Sequence, residues 1–173
     1  MNKQETIRIL ASDRNERGDL FTRLTKDLFF ALGYGELRLN VHKSGRELDI
    51  EGKHRFEPRR LIAECKAHQK PMGGDELNKF FGVLSRERKR ANPIPVAGYF
   101  VSLGGYTETG IEQEEETGND KVVLLNAARV IEELERTSLL IPLHQATERA
   151  GQCAQFAKLH DARLDGSELL AGW

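Results

Sequence analysis

Apolar residues recur at helical spacing over 15–32, where Leu20, Phe21, Leu24, Leu28, Ala31 and Leu32 make one stripe and Gly33 is placed to stop it. The period then changes to two. Over 36–42, Leu37, Leu39 and Val41 share one face of a predicted strand. A turn at 43–45 leads to a second strand over 46–52, with Leu48 and Ile50 facing one way and Glu47, Asp49 and Glu51 the other. A charged hairpin loop over 53–59 precedes a third strand over 60–67. That strand is largely apolar, as expected of one covered on both faces. Period two still sets Ile62, Glu64 and Lys66 on one side and Ala63, Cys65 and Ala67 on the other.

Downstream, the loop 70–74 precedes a helix over 75–90, with Leu77, Phe80, Phe81 and Leu84 as its apolar face and Asp75 near its N-terminus, where a carboxylate suits the dipole. The segment 95–103 is the strongest strand pattern, broken by Gly104 and Gly105. Thr107 caps a helix reaching about 116; 121–125 is a short buried strand, 127–136 a helix, and a last helical pattern runs beyond Pro142 to about 160. Glu112 to Glu116 reads as a solvated helix face. Three strands able to form a meander, followed by strand–helix crossovers, predict an α/β fold: a mixed sheet with helices on both faces.

The 173 residues suffice for one domain with its own core. With 31% charged and 39% hydrophobic residues, the composition is that of a soluble globular protein. No window reaches the apolar length of a membrane span, and the N-terminus shows no signal-peptide core. Cys65 and Cys153 have no metal-ligand spacing, so a reduced, cytoplasmic setting is expected, with no membrane partner. The formal net charge is −1, but its distribution is uneven. Residues 38–90 carry 14 Lys and Arg against 8 Asp and Glu, whereas 104–173 carry 6 against 13. The local basic excess suits phosphate binding; a solvated basic face is the competing reading.

The most chemistry lies at Asp49, Glu64 and Lys66. A carboxylate and an ammonium two residues apart in an apolar strand are costly to bury without partners. A second carboxylate on a neighbouring strand points to a shared divalent cation. Two carboxylates, a hard metal and a lysine are the equipment for cutting a phosphodiester. Glu47 precedes Asp49 by two and shares its face, either as an auxiliary carboxylate or as an exposed strand residue. Gln69, between His68 and Lys70, follows the third strand directly, within reach of a phosphate. The Cys65 side chain reads as a small buried hydrophobe on the opposite face. A purely structural reading pairs Asp49 with Arg46 or Arg60, and Glu64 with Lys66 across strands.

Gly45-Arg-Glu-Leu-Asp49, a short hairpin and Glu64-Cys-Lys66, after a helix closed by Leu32-Gly33-Tyr34, resemble the PD-(D/E)xK nuclease superfamily. Within it the likeness is to Mrr-like restriction endonucleases and related modules of bacterial anti-phage defence proteins, over about residues 15–105. The resemblance implies a restriction-endonuclease-like mixed β-sheet flanked by helices, with an αβββαβ core. It implies a metal-dependent endonuclease acting on DNA. Mg²⁺, with Mn²⁺ able to substitute, would be held by Asp49, Glu64 and the backbone carbonyl of Cys65. Lys66 would orient the attacking water or stabilise transition-state charge. A homo-oligomer, dimer or higher, and fusion to or control by further domains are also implied.

On this reading 1–14 is an N-terminal extension, 15–137 the nuclease domain, and 138–173 a C-terminal helical extension or the start of a linker. Two positions depart from the family. Leu48 stands where a proline precedes the aspartate, and Thr22 falls where many relatives carry a helix glutamate, for which Asp19 or Glu16 is the candidate replacement. These departures leave open a catalytically degenerate module for DNA binding or oligomerisation. The acidic C-terminal half, with Leu139-Leu-Ile141, is a third reading, as a helical interaction surface.

Overall fold

The structure, a computed structural model, describes residues 6–43, 46–116 and 122–159. Its elements are α1 (Arg14–Ala31), β1 (Tyr34–Lys43), β2 (Arg46–His54), β3 (Arg60–Lys66), α2 (Gly74–Ala91), β4 (Val96–Ser102), α3 (Glu108–Glu116), β5 (Val122–Asn126), α4 (Ala127–Arg136) and α5 (Leu143–Leu159). Their order follows the hydrophobic pattern. They divide between two compact units, Met1–Leu139, which holds the sheet and α1–α4, and Leu140–Trp173, which holds α5. The turn residues Ser44 and Gly45, the acidic side chains beyond Glu112 in α3, and the chain from His160 lie outside the described residues. Among the described residues no helix is long and apolar enough to cross a membrane.

Local chemistry sets the helix ends. The Asp13 side chain accepts the backbone N–H groups of Asn15 and Glu16, and Glu16 reaches back to the N–H and hydroxyl of Ser12. At the other end Gly33 takes a left-handed φ of 94°, which a side chain would resist. Thr107 Oγ1 accepts the Gly110 N–H at 3.3 Å and opens α3. The Asn126 side chain accepts the Arg129 N–H, so β5 passes straight into α4.

The five strands lie in the order β1-β2-β3-β4-β5. β1, β2 and β3 form an antiparallel meander, and β3, β4 and β5 run parallel. Two apolar clusters cover the two faces. One joins Phe21, Leu28 and Phe29 of α1 and Val130 and Leu134 of α4 to Ile50, Leu61, Ala63 and Val101 of the sheet. The other joins Leu77, Phe80 and Leu84 of α2 to Ile62, Val96, Phe100 and Val122. β3 alternates between them as its period predicts. Gly98 makes the second contact possible, because a Cβ there would stand 2.4 Å from Leu84.

β1 and β2 depart from strict alternation. Leu39 and its partner Ile50 pack with the α1-side cluster, yet Val41 and its partner Leu48 pack with the α2-side cluster. Leu48 and Ile50 therefore do not share a face, nor do Leu39 and Val41. The residues between these pairs are Asn40 and Asp49. Asn40 has a φ of 50°, a left-handed backbone that asparagine tolerates, and the ladder changes face there. Glu51 also differs from expectation. It is 2% exposed, and its carboxylate is bonded by Arg38 at 2.9 Å and by Arg60.

Asn40→Gly is expected to keep this change of face, whereas Asn40→Val must hold a β-branched residue at positive φ. Urea unfolding should show the valine variant about 1–2 kcal/mol less stable than the glycine variant. Equal stabilities would remove the role given to Asn40.

Candidate active site

The site begins where β2 parts from β3. Their ladder runs from Lys53↔Arg60 to Ile50↔Ala63. Beyond it, Glu47 and Leu48 pair with β1, while Glu64, Cys65 and Lys66 pair with Phe100, Val101 and Ser102 of β4. The parting leaves β3 without a backbone partner on its β2 side. Asp49 fills the gap: its Oδ2 accepts the Cys65 N–H at 2.6 Å. A backbone donor is thereby satisfied by a side chain, and the carboxylate is drawn to β3 beside Glu64.

Glu64 and Lys66 project from the α2 side of β3. Lys66 Nζ lies 2.5 Å from Glu64 Oε1, an ion pair within one strand rather than across strands. Both stay open to solvent, at 32% and 23% side-chain exposure, so a substrate can reach them. Arg60, the suggested structural partner of Asp49, bonds Glu51 instead.

Burial, then the charge of Glu64, raises the Asp49 pKa to about 6 against the opposing pull of the Cys65 N–H and Lys66. Burial works against the Lys66 ammonium, but the Glu64 hydrogen bond and the charges of Glu64 and Asp49 prevail and raise its pKa. A carboxyl unwilling to ionise beside another carboxylate is a natural place for a cation. The donors are hard oxygens, which suits Mg²⁺, a metal that takes one or two carboxylates and keeps waters or phosphate oxygens elsewhere. No group of three or more His, Cys, Asp or Glu is arranged as a metal cage among the described residues.

Glu47, Glu64 and Lys66 line an open groove of about 340 Å³ with Glu76, Lys79, Phe80 and Val83 of α2 and Phe100 of β4. A roomier cavity of about 480 Å³ lies elsewhere, against Ile7, Leu10, Arg17, Ala67 and Leu103. The chemistry selects the smaller one, since it holds Glu64 and Lys66 and the larger holds neither; Asp49 lies beside it, bonded to the Cys65 N–H. Glu47 thus stands at the site; its charge contributes to the rise at Asp49, and it lies 3.9 Å from His42.

Gln69 does not join the groove. It lines the larger cavity and a neighbouring one with Gly104 and Asn126. Glu16 is committed to Ser12, and Asp19 stays exposed on α1. Thr22, where the resemblance implies a helix glutamate, is buried, and its hydroxyl and that of Thr25 lie near the Cys65 thiol. Burial pushes that thiol well up, so it stays protonated on the side of the sheet away from Glu64. Glu76 and Lys79 were missed in the sequence. The spacing of Glu76, Lys79, Phe80 and Val83 was the signal, masked by reading α2 only for its apolar face.

The restriction endonuclease family Mrr_cat has a model that matches residues 14–134, from the start of α1 to within α4. The chain belongs to that family. Its mixed sheet is a restriction-endonuclease-like fold of the PD-(D/E)xK type. Solved structures share this fold. A repair endonuclease from Pyrococcus abyssi is 14% identical, with a TM-score of 0.51 over 68% of this chain and 48% of its own. EndoMS, in the EndoMS–dsDNA2 complex, is 12% identical, with a TM-score of 0.52 over 72% and 48%. AF1548, a protein of unknown function, is 17% identical, with a TM-score of 0.56 over 88% and 93%. This Mrr-family chain spans about half the length of the two endonucleases. No curated protein matches it.

The raised Asp49 pKa has a consequence for stability without divalent metal. A carboxyl whose pKa is higher folded than unfolded stabilises the fold below pH 3.8, and that contribution is lost as pH rises to about 6. Asp49→Asn removes the penalty. In chelator, the variant should gain on the order of 1–2 kcal/mol over wild type above pH 6, shrinking toward pH 4. A pH-independent difference in thermal melts would refute the shift.

Proposed function

We propose that this Mrr-family protein is a metal-dependent endonuclease that hydrolyses DNA phosphodiester bonds at Asp49, Glu64 and Lys66. The observation that carries the reading is the convergence of these three at the parting of β2 and β3, beside an open groove. Asp49, Glu64 and the Cys65 backbone carbonyl are the proposed ligands of Mg²⁺, or of Mn²⁺ in its place. When bound, the ion would polarise the scissile phosphate and lower the pKa of a coordinated water. Asp49 is oriented for this by the Cys65 N–H. Lys66, its positive charge secured by Glu64, lies where it can orient the attacking water or stabilise charge on the phosphate. Glu47 is an auxiliary carboxylate, acting through its charge on Asp49. Asp19 and Gln69 fall outside this proposal.

DNA as the partner is supported by the family and by a fold neighbour solved with dsDNA. Cutting both strands of a duplex calls for two active sites, so the reading extends to paired subunits or a further domain that pairs them. A role in restriction or anti-phage defence in the cytoplasm is the setting in which such an activity belongs.

Purified protein with Mg²⁺ is expected to cleave plasmid DNA, and a chelator to stop it. Asp49→Ala, Glu64→Ala and Lys66→Ala should each slow cleavage by roughly 100-fold or more. Mn²⁺ should raise the melting temperature of wild type but not of Asp49→Ala. Equal backgrounds from wild type and Asp49→Ala would favour the catalytically degenerate alternative.

A further inference from the structure

The wall of the groove opposite β3 is formed by α2, and the reaction proposed above leaves its charged side chains unused. Glu76, Lys79, Phe80 and Val83 are spaced i, i+3, i+4 and i+7, so they form one stripe of the helix, and all four line the groove. Phe80 is buried and meets the Phe100 ring edge-on, with centroids 5.6 Å apart, which fixes the rotation of that stripe. Lys79, adjacent to this anchor, is therefore held at the rim facing Glu64 and Lys66.

The two lysines of the groove differ in what they are free to do. Lys66 is tied to Glu64 at 2.5 Å. Lys79 is exposed and makes no ion pair among the described residues. Of the other basic residues, Arg60 bonds Glu51 and Arg88 donates to the Val96 carbonyl at 3.0 Å, and none of them lines the groove. Glu47, Glu64 and Glu76 line the same groove, so an incoming phosphate needs a cation not already neutralised by a carboxylate.

We propose that Lys79 is the phosphate-binding residue of this groove: it grips the DNA backbone from α2 while Lys66 serves the scissile bond. The proposal rests on the reading of Asp49, Glu64 and Lys66 as a nuclease site and adds the contact that holds the substrate there. A compact ammonium at a groove rim contacts phosphate as a point charge and reads no base, so the grip is independent of sequence.

The test separates grip from chemistry. Labelled duplexes of two unrelated sequences are titrated, in Mg²⁺ and at several salt concentrations, with Lys66→Ala protein and with Lys66→Ala/Lys79→Ala protein. Losing one phosphate contact should weaken both duplexes alike and make the slope of log K against log salt shallower by about 0.9. Lys79→Arg in the same background should restore both. In otherwise wild-type protein, Lys79→Ala should raise KM more than it lowers kcat. Unchanged affinity and slope would overturn the proposal, as would a loss confined to one sequence. Melting temperatures of the Lys79 variants, matched to their parents, establish that the exposed substitution leaves the fold intact. Cleavage by Asp49→Ala at the wild-type rate would instead defeat the nuclease reading, and the affinity comparison would still decide Lys79.

Discussion

A backbone N–H that loses its strand partner must find another acceptor, and the hydrogen bond from Cys65 N–H to Asp49 Oδ2 answers that need. Leaving a buried donor unmade costs roughly 1–3 kcal/mol, so the pull on Asp49 is strong. It brings a carboxylate from a departing strand to the strand that carries Glu64 and Lys66. The same parting of β2 from β3 leaves β3 uncovered on one edge, where the groove opens. The geometry of the site and the raised pKa of Asp49 both descend from this break in the ladder.

The two faces of the sheet divide the work. On the α1 side, Phe21, Leu28, Phe29 and Ala63 make a closed core, and Cys65 with Thr22 and Thr25 belongs to that side. On the α2 side, the apolar cluster ends at Phe80 and Phe100, and the next residues along β3 are Glu64 and Lys66. Phe80 and Phe100 thus serve as core and as groove lining at once. Rigid packing directly beneath the charged residues keeps them in place without burying them.

The sequence made much of this readable. Period two in β3 separated Glu64 and Lys66 from Cys65, because each residue of a strand sits on a fixed side of the sheet. Helical spacing and capping located α1, α2 and α4, and the order of elements implied the mixed sheet. Other features were hidden. Gln69 follows β3 in sequence but turns to another cavity, because Gly104 presses its backbone against Gln69 and Lys70, where a Cβ would stand 2.4 Å from the Lys70 carbonyl oxygen. Glu76 and Lys79 looked like an ordinary solvated helix surface, since solvent exposure and a place on a groove rim leave the same polar pattern.

Residue types and their spacing alone determined the elements, the faces of β3 and the trio Asp49, Glu64 and Lys66, since these follow from local periodicity. The tertiary structure decided where the ladder parts. It also decided that Asn40 and Asp49 mark a change of face, and that α2 supplies the second wall of the groove. Those outcomes depend on contacts between residues distant in sequence. A left-handed asparagine, a strand donor satisfied by a side chain and the rotation of a helix on an aromatic anchor leave no periodic trace in the chain.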